Sequence, residues 1–244
     1  MLHDVRTVIW KEAKEIFGQR GRFKGGKAGL LVFLAVFGIV MPLQNGPDWV
    51  RSPLVMIYWA WVPFLLASGV VADSFAGERE RHTLETLLAS RLPDRAILAG
   101  KIGAAVLYAW GLTLVCVLAG AVAISIVHGK GRILFYAAPV AAGIFSLTFL
   151  VALLASGLGV LVSLKAATVR QAQQTFSIAF LLMFIPLFVL PMLPAPVKAK
   201  LLAAVSGLDA TMAAFIVVAL LAAADAAILL VADARFRRNR LILD

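Results

Sequence analysis

Six apolar runs divide this chain at about the length that a helix needs to cross a lipid bilayer, although the first and fifth are short and the fourth is long. They lie near residues 28–43, 54–72, 102–127, 133–164, 176–193 and 213–232. A spanning helix needs about 20 predominantly apolar residues. The chain is 62% hydrophobic and 15% charged, whereas soluble domains have about 45–50% and about 25%. The sequence therefore predicts an all-α, polytopic membrane protein with six transmembrane helices.

An amphipathic helix is predicted before the first run, over residues 2–17. Charged side chains occupy one face, Trp10 lies alongside, and apolar side chains recur at spacings of three and four on the other face. These apolar residues are Leu2, Val5, Val8, Ile9, Ala13, Ile16 and Phe17. A helix of this kind lies in the plane of the lipid headgroups. We therefore divide the chain into an interfacial helix with a basic linker, residues 1–27, and a single transmembrane domain, residues 28–244.

The basic residues predict the orientation of the chain. Eighteen Lys and Arg lie in residues 1–27, 73–101, 165–175 and the C-terminal tail, and only five lie in the segments between. Because cytoplasmic loops carry the excess of Lys and Arg, we expect both termini and residues 73–101 on the cytoplasmic side of the inner membrane. The net charge of +10 flanks apolar runs and forms no basic stripe with interleaved aromatic residues, which argues against a nucleic-acid partner.

Two patterns bear on helix packing. Small residues recur every fourth position in two of the runs, and small side chains let helix backbones approach closely in lipid. We expect both sets to pack within the chain, and the alternative is that they form a face for a second copy. They are Ala155, Gly159 and Ser163 in the fourth run and Ala219, Ala223 and Ala227 in the sixth. The fifth run contains Pro186 and Pro191, and it is predicted to end in a bent or re-entrant element.

No set of catalytic or metal-binding residues emerges from the sequence. The three histidines, His3, His82 and His128, lie far apart, and none is at metal-ligand spacing from another ligand. Residues 21–28 have the glycine and lysine spacing of a phosphate-binding loop, but Ala28 stands where Ser or Thr would hold magnesium, and no strand precedes the loop. We therefore expect neither enzymatic activity nor a bound cofactor in this chain.

Asp225 is the one acidic residue well inside an apolar run. A buried charge in a membrane is costly and usually faces a bundle interior or a wet cavity. One hypothesis is that Asp225 lies on a substrate pathway or is linked to a proton. The alternative is that it lies near the cytoplasmic leaflet, about two turns before Asp233, and pairs with a basic residue or a polar helix face.

Residues 73–101 are the most informative segment between the runs. Ten of these 29 residues are charged, five acidic and five basic. Residues 82–90 are predicted to form a short helix whose apolar face consists of Leu84, Leu87 and Leu88. Pro93 and Asp94 suit the first turn of the helix that leads into the third run. So short a segment has no core of its own, and its pattern indicates a surface for another protein, held rigidly between two membrane helices.

The string from Ala72 to Lys101 resembles the intracellular coupling segment of type-2 ABC exporter permeases, and most closely that of the sodium/multidrug-type branch. The matching residues are Gly77, Glu78, Arg79, Glu80, Thr83, Leu84, Glu85, Leu87, Leu88, Ala89, Leu98, Gly100 and Lys101. There are two departures from the pattern of that family. His82 stands in place of the usual glycine, and the proline expected soon after Ala89 comes only at Pro93.

The resemblance implies the permease subunit of an ATP-driven exporter. ATP and magnesium would bind to separate ABC ATPase subunits on the cytoplasmic face, and a second permease copy, identical or similar, would complete the membrane part. The residues expected to contact the ATPase are Glu78, Arg79, Glu80, Thr83, Leu84, Glu85, Leu87 and Leu88. The apolar interior favours a hydrophobic or amphipathic cargo. Two other functions stay open, a non-transporting scaffold or regulatory subunit and an intramembrane enzyme.

Overall fold

The computed structural model describes residues 1–22, 26–189, 192–197 and 210–236, and this part of the chain is helical, without a strand. Its helices are, in chain order, α1 (Leu2–Arg22), α2 (Gly26–Ala35), a π-helical turn (Val36–Val40), α3 (Met41–Asn45), α4 (Asp48–Arg51), α5 (Val55–Glu80), α6 (Leu84–Leu88), α7 (Asp94–His128), α8 (Ala138–Lys165), α9 (Val169–Val189) and α10 (Ala210–Arg235).

Five segments of the described chain are long and apolar enough to cross a membrane. They are Ala28–Asn45, Val55–Glu80, Asp94–His128, Ala138–Lys165 and Phe215–Arg235, and they coincide with five of the six predicted runs. The run at 176–193 falls on α9 and continues beyond the described residues, and α9 is not among the five. The prediction of an all-α membrane protein with several spans is confirmed, and the count of six stays a prediction.

Two apolar runs differ in detail from the prediction. Residues 133–137 are not helical, and α8 begins only at Ala138, with Pro139 in its first turn, where the missing N–H of a proline has no helical acceptor to lose. Pro186 lies inside α9, which continues to Val189. The predicted bend at Pro191 lies outside the described residues.

The contact between α5 and α8 forms the centre of the fold. The small residues of the fourth run, Ala155, Gly159 and Ser163, are all buried, as predicted. A Cβ atom on Gly159 would lie 2.1 Å from Val71 Cγ2 of α5 and 3.2 Å from Phe176 Cε2 of α9. Such distances leave no room for a side chain, so glycine is what lets the three helices approach this closely.

Ser163 fastens α8 to the backbone of α5. Its Oγ accepts hydrogen bonds from the N–H groups of Phe75 at 3.0 Å and Ala76 at 2.9 Å, and it donates to the carbonyl of Ala72 at 3.1 Å. All of these atoms are buried, where a hydrogen bond competes little with water and an unmade one is expensive. The serine therefore fixes the register of α8 against α5 as well as their distance.

The α10 helix meets α8 along one face only. Ile228 of α10 contacts Gly157 of α8, where an added Cβ would lie 2.7 Å from Ile228 Cγ2, and Ala232 is fully buried. The small residues predicted to pack in this run, Ala219, Ala223 and Ala227, are instead exposed. That prediction is wrong for a single chain, because the packed face of α10 lies on another side of the helix.

The bundle has a charged end and an aromatic end. At the charged end, Arg95 at the start of α7 pairs with Asp233 near the end of α10 at 3.1 Å, and Phe75 lies against Phe236. At the aromatic end, Trp59 near the start of α5 donates to Tyr136 Oη at 3.3 Å and stacks edge-on against Trp49. The candidate site lies at the charged end, where side chains of α5 and α7 reach α1.

Candidate functional site

Four charged side chains from three helices meet at the charged end in what we call the Lys101 cluster: Lys11 and Glu12 of α1, Glu78 of α5 and Lys101 of α7. Lys101 Nζ donates to Glu12 Oε1 at 2.8 Å, to Glu78 Oε1 at 3.0 Å and to the Ser74 carbonyl at 2.8 Å. Lys101 and Glu78 are each only 3% exposed. Because solvent screens buried charges little, these bonds tie α1, α5 and α7 together.

Lys11 is the more exposed cation of the Lys101 cluster. Its Nζ lies 3.2 Å from Glu78 Oε1, 3.4 Å from Glu15 Oε1 and 3.7 Å from Glu12 Oε1. Partial burial acts to lower the pKa of Lys11, but the surrounding carboxylates outweigh it, so the pKa is raised. A lysine whose pKa rises on folding contributes its full stabilisation below its unfolded pKa. That contribution is lost only as the pH climbs through the raised value, well above neutrality.

Two glycines of α7 make room for α1. A Cβ atom on Gly100 would lie 2.5 Å from Val8 Cβ, and one on Gly103 would lie 3.2 Å from Ile9 Cδ1. Lys101 follows Gly100 directly. Gly100 therefore leaves space for Val8 of α1, and Lys101 binds Glu12 in the next turn of the same helix. The predicted N-terminal helix is therefore packed against the third membrane helix as well as amphipathic.

The apolar residues of α1 point in two directions. Val8 is 3% exposed and Ile16 packs against the core, whereas Leu2, Trp10 and Phe17 are exposed. The predicted apolar face therefore divides into an inward part and an outward part. The outward part has the leucine and aromatic side chains that suit the plane of the lipid headgroups.

Residues 78–90, which we call the tip segment, turn α5 into α7 through the short helix α6. The predicted helix at 82–90 is present over Leu84–Leu88, and α7 begins at Asp94 as expected. Glu80, Thr83 and Glu85 are exposed on its surface. These three of the predicted contact residues are therefore accessible to a partner.

Three other predicted contact residues of the tip segment, Glu78, Arg79 and Leu84, contact the chain itself. Leu84 is 8% exposed and lies in the core of this chain, and Leu87 is half-buried against it. The side chain of Leu88 lies outside the described residues. Glu78 belongs to the Lys101 cluster, so among the described side chains the outward surface of the tip segment is more polar than the sequence predicted.

Arg79 fastens the tip segment to α8. Its guanidinium donates to the carbonyl of Leu164 at 3.0 Å and to that of Ala166. The last carbonyls of a helix have no partner within it, and Arg79 satisfies two at the end of α8. Two residues later, directly after the end of α5, Arg81 pairs with Asp73 at 3.1 Å. Arg79 therefore joins two helices of this chain in the present arrangement.

The backbone conformation of His82 explains why the family pattern usually has glycine at this position. Its backbone has φ of 55°, in the left-handed region that glycine adopts freely and other residues adopt at a cost of about 1–2 kcal/mol. The turn between α5 and α6 requires this conformation, so the usual glycine at this position has a geometric reason.

Replacing His82 with glycine is therefore expected to stabilise the chain by up to about 1 kcal/mol, after the greater flexibility of glycine in the unfolded chain is deducted. The midpoint of thermal unfolding in a fixed detergent measures this change. Thr86→Gly, inside α6, is the matched control and should lower stability by about 1 kcal/mol. A loss in His82→Gly as large as in the control would contradict the strain at this turn.

Asp225 lies apart from the tip segment, on the inner face of α10. It is 3% exposed, and neither carboxylate oxygen has a hydrogen-bond partner among the described residues. The basic or polar partner that one hypothesis expected is not found in this part of the chain. Nor do the described residues hold a group of three His, Cys, Asp or Glu side chains that could bind a metal ion.

Sequence reasoning missed Lys11 and Glu12 as members of the Lys101 cluster and Ser163 as a hydrogen-bond partner of the α5 backbone, and it assigned Lys101 no role beyond its place in the motif. A signal for Glu12 was present: it stands four residues after Val8 and four before Ile16, on the apolar side of α1. A lysine at the very start of an apolar run must also find an anion or snorkel to the surface. The two requirements together point to a pair.

Comparison with known families identifies the family to which the chain belongs. The sequence matches the family model of the ABC-2 type transporter over residues 3–218, which extends from α1 into α10. No curated protein and no solved structure matches the chain. The matched region includes α1, the whole tip segment and the Lys101 cluster. This multi-pass membrane protein belongs to the ABC-2 type transporter family, and it is a permease subunit of an ABC transporter, a transport component that is not itself catalytic.

Proposed function

We propose that this permease subunit exports its cargo when a separate ABC ATPase acts on the tip segment. Membership of the family implies association with an ABC ATPase. The observation that carries the proposal is that a short, exposed helix joins two long membrane helices directly and has a buried ion cluster at its base. Export, and the likeness to the sodium/multidrug-type branch, rest on the resemblance of residues 72–101.

The tip segment would act as a lever on the membrane helices. The 26 residues of α5 and the 35 of α7 give lengths of about 39 and 52 Å at a rise of about 1.5 Å per residue. Both exceed the hydrocarbon thickness of about 30 Å. A displacement of the tip segment would therefore reach the aromatic end, and the bonds of Lys101 and Arg79 would carry α1 and α8 with it.

ATP and magnesium would bind to the partner subunits and not to this chain. Nucleotide can shift the permease between two arrangements only if the ATPase binds the tip segment more favourably in one of them. We place the pathway for a hydrophobic or amphipathic cargo between this chain and a second permease copy. The proposal of a second copy is based on the family resemblance.

The distribution of basic residues supports a cytoplasmic location for the tip segment. The structure brings α1, the tip segment and the end of α8 together at the charged end, whereas Arg51, Lys130 and Arg132 lie toward the aromatic end. Because an excess of Lys and Arg marks the cytoplasmic side, we place the charged end and both termini on the cytoplasmic side of the inner membrane.

The double variant Leu87→Ala with Leu88→Ala is expected to weaken ATPase binding tenfold or more. Truncating an apolar anchor at an interface commonly costs about 2 kcal/mol, and each 1.4 kcal/mol is about a factor of ten. Reversing the exposed charges in Glu80→Lys with Glu85→Lys should weaken binding less and in a salt-dependent way. Co-purification of the ATPase, together with ATP turnover by the complex, measures both effects.

Leu54→Ala is the control for these variants, because Leu54 is an exposed leucine at the opposite end of α5. It should leave ATPase binding unchanged. Normal ATPase binding and normal ATP-driven transport in the double leucine variant would show that the apolar side of the tip segment does not contribute to coupling. If the wild-type complex binds the ATPase but moves no cargo, the chain is a scaffold or regulatory subunit.

A further inference from the structure

Asp225 is a buried acid that the proposed coupling path does not use. It lies eight residues before Asp233 on α10, or about 12 Å along a helix that rises about 1.5 Å per residue. Asp233 marks the charged end through its pair with Arg95. Asp225 is therefore located well inside the membrane part of the chain, and its side chain is 3% exposed.

The face of α10 that carries Asp225 is closely packed. Asp225, Ile228 and Ala232 follow one another at helical spacing, and Ala232 is fully buried. At Gly157 of α8, an added Cβ atom would lie 2.7 Å from Ile228 Cγ2, so the two helices touch with no space for a methyl group. Ser156, the neighbour of Gly157, also has a buried hydroxyl without a hydrogen-bond partner among the described residues. This face therefore turns away from lipid and water.

The helix packed most closely on this face offers no counter-charge. From Ala138 to Leu164, α8 contains no ionisable side chain, and its first is the exposed Lys165 at its end. On α10 itself, the next charged residue is Asp233, which Arg95 neutralises. An ionised Asp225 would therefore have no cation beside it on either helix.

The ionisable groups of α7, the other helix in contact with α10, are engaged elsewhere. Lys101 donates to two carboxylates of the Lys101 cluster. Tyr108 lies against Phe17 of α1. Cys116 lies against the π-helical turn, since a Cβ atom added to Gly38 would be 3.5 Å from its Cα atom. His128 is at the far end of α7. No cation of α7 is thus left to pair with Asp225.

We propose that Asp225 is a proton-binding site inside the membrane, and that its carboxyl group is protonated at neutral pH in this packed arrangement. A buried carboxylate without a partner is so unfavourable that the group takes up a proton instead. The same geometry that excludes water and cations from the site, the close contact of α8 with α10, selects the proton as its occupant. A rearrangement that separates the two helices would admit water, and the proton would leave to that water.

Modification by dicyclohexylcarbodiimide, an apolar reagent that reacts with protonated carboxyl groups in membranes, tests this proposal on the full-length chain in lipid nanodiscs. Peptide mass spectrometry should find Asp225 modified at pH 7, where an ordinary aspartate with a pKa of about 3.9 is protonated only about once in a thousand molecules. Modification should decline as the pH is raised. Glu78 is the internal control, because it is equally buried but paired with Lys101, and it should remain unmodified.

Infrared spectroscopy gives a readout that does not depend on access of the reagent. At pH 7 the carbonyl stretch of a protonated carboxylic acid should be present in the wild-type chain, lost in Asp225→Asn and retained in Asp233→Asn. If Asp225→Asn leaves the protonated-carboxyl band unchanged, the group is ionised and the proposal is overturned, whatever the labelling shows. Loss of the band in Asp225→Asn alone supports it.

Discussion

Lys101→Met is expected to lower the folding stability of this chain by about 3–5 kcal/mol, the usual cost of removing one partner from a buried ion pair. Glu12 and Glu78 would then share only Lys11, whose side chain is partly exposed. Glu78 Oε2 is already buried without a hydrogen-bond partner among the described residues. The Lys101 cluster would thus retain two buried carboxylates with too little positive charge. Chemical or thermal unfolding in a fixed lipid or detergent measures the loss.

Lys11→Met is the matched control, because Lys11 contacts the same Glu78 oxygen from an exposed position. Lys11 is partly in solvent and Lys101 still pairs with Glu78, so this variant should lose much less stability than Lys101→Met. The triple variant Lys101→Met, Glu12→Gln and Glu78→Gln should recover most of the lost stability, because it removes the stranded charges as well. Equal losses in Lys11→Met and Lys101→Met would show that burial does not set the strength of these bonds.

Gly159→Val is expected to destabilise the chain by about 3 kcal/mol or more, at the upper end of what overpacking costs. Its Cβ atom would fall 2.1 Å from Val71 Cγ2 and 2.6 Å from Val71 Cβ, so α5 and α8 would have to move apart. That movement would also strain the three hydrogen bonds of Ser163 to the α5 backbone. The yield of folded protein and its unfolding midpoint measure the effect.

Gly111→Val is the control for the α5–α8 contact. Gly111 is also within a membrane helix, but an added Cβ there meets nothing within 4 Å. Its replacement should change stability little, because valine is the better helix former and no neighbour is displaced. Combining Gly159→Val with Val71→Ala should recover part of the loss, since the nearest clashing atom is then absent. A neutral Gly159→Val would mean that α5 and α8 adjust freely.

The helices, and the small residues that allow them to pack closely, could be predicted because they follow from local sequence patterns. Runs of about 20 apolar residues, an amphipathic N-terminal helix, and Pro93 with Asp94 at a helix start all depend on residues near one another in the chain. The buried small residues of α8 were predicted for the same reason. The similar set on α10 was not correctly assigned, because spacing alone does not say which face of a helix meets its neighbours.

The contacts of the Lys101 cluster and of Arg79 could not be predicted because they join residues that are distant in the chain. Lys101 and Glu12 are 89 positions apart, and Arg79 reaches a carbonyl 85 positions away. The pattern of residues 78–90 is shared by two roles, fastening the segment to the chain and presenting it to a partner. Only the fold separates Glu78, Arg79 and Leu84, which face inward, from Glu80, Thr83 and Glu85, which face outward.

This division gives the family motif a physical interpretation. Gly100 and Lys101 receive α1, Glu78 completes the Lys101 cluster, and Arg79 closes the end of α8. Much of the motif therefore builds a rigid base on which a short outward helix stands. Under the proposed function, the ATPase would then push on an element that already moves with three membrane helices and the N-terminal helix.

Site-specific crosslinking from Thr86 tests the proposed coupling most directly. Thr86 is exposed on α6, and the chain's one cysteine, Cys116, is buried, so Thr86→Cys supplies the single accessible thiol. A thiol-reactive photocrosslinker at that position should capture the ATPase, and an impermeant reagent outside intact cells should leave it unlabelled. Lys130→Cys, at the opposite end, should give the reverse of both results. Failure to capture the ATPase from Thr86 in a complex that hydrolyses ATP, or labelling of Thr86→Cys from outside, would contradict the coupling role of the tip segment.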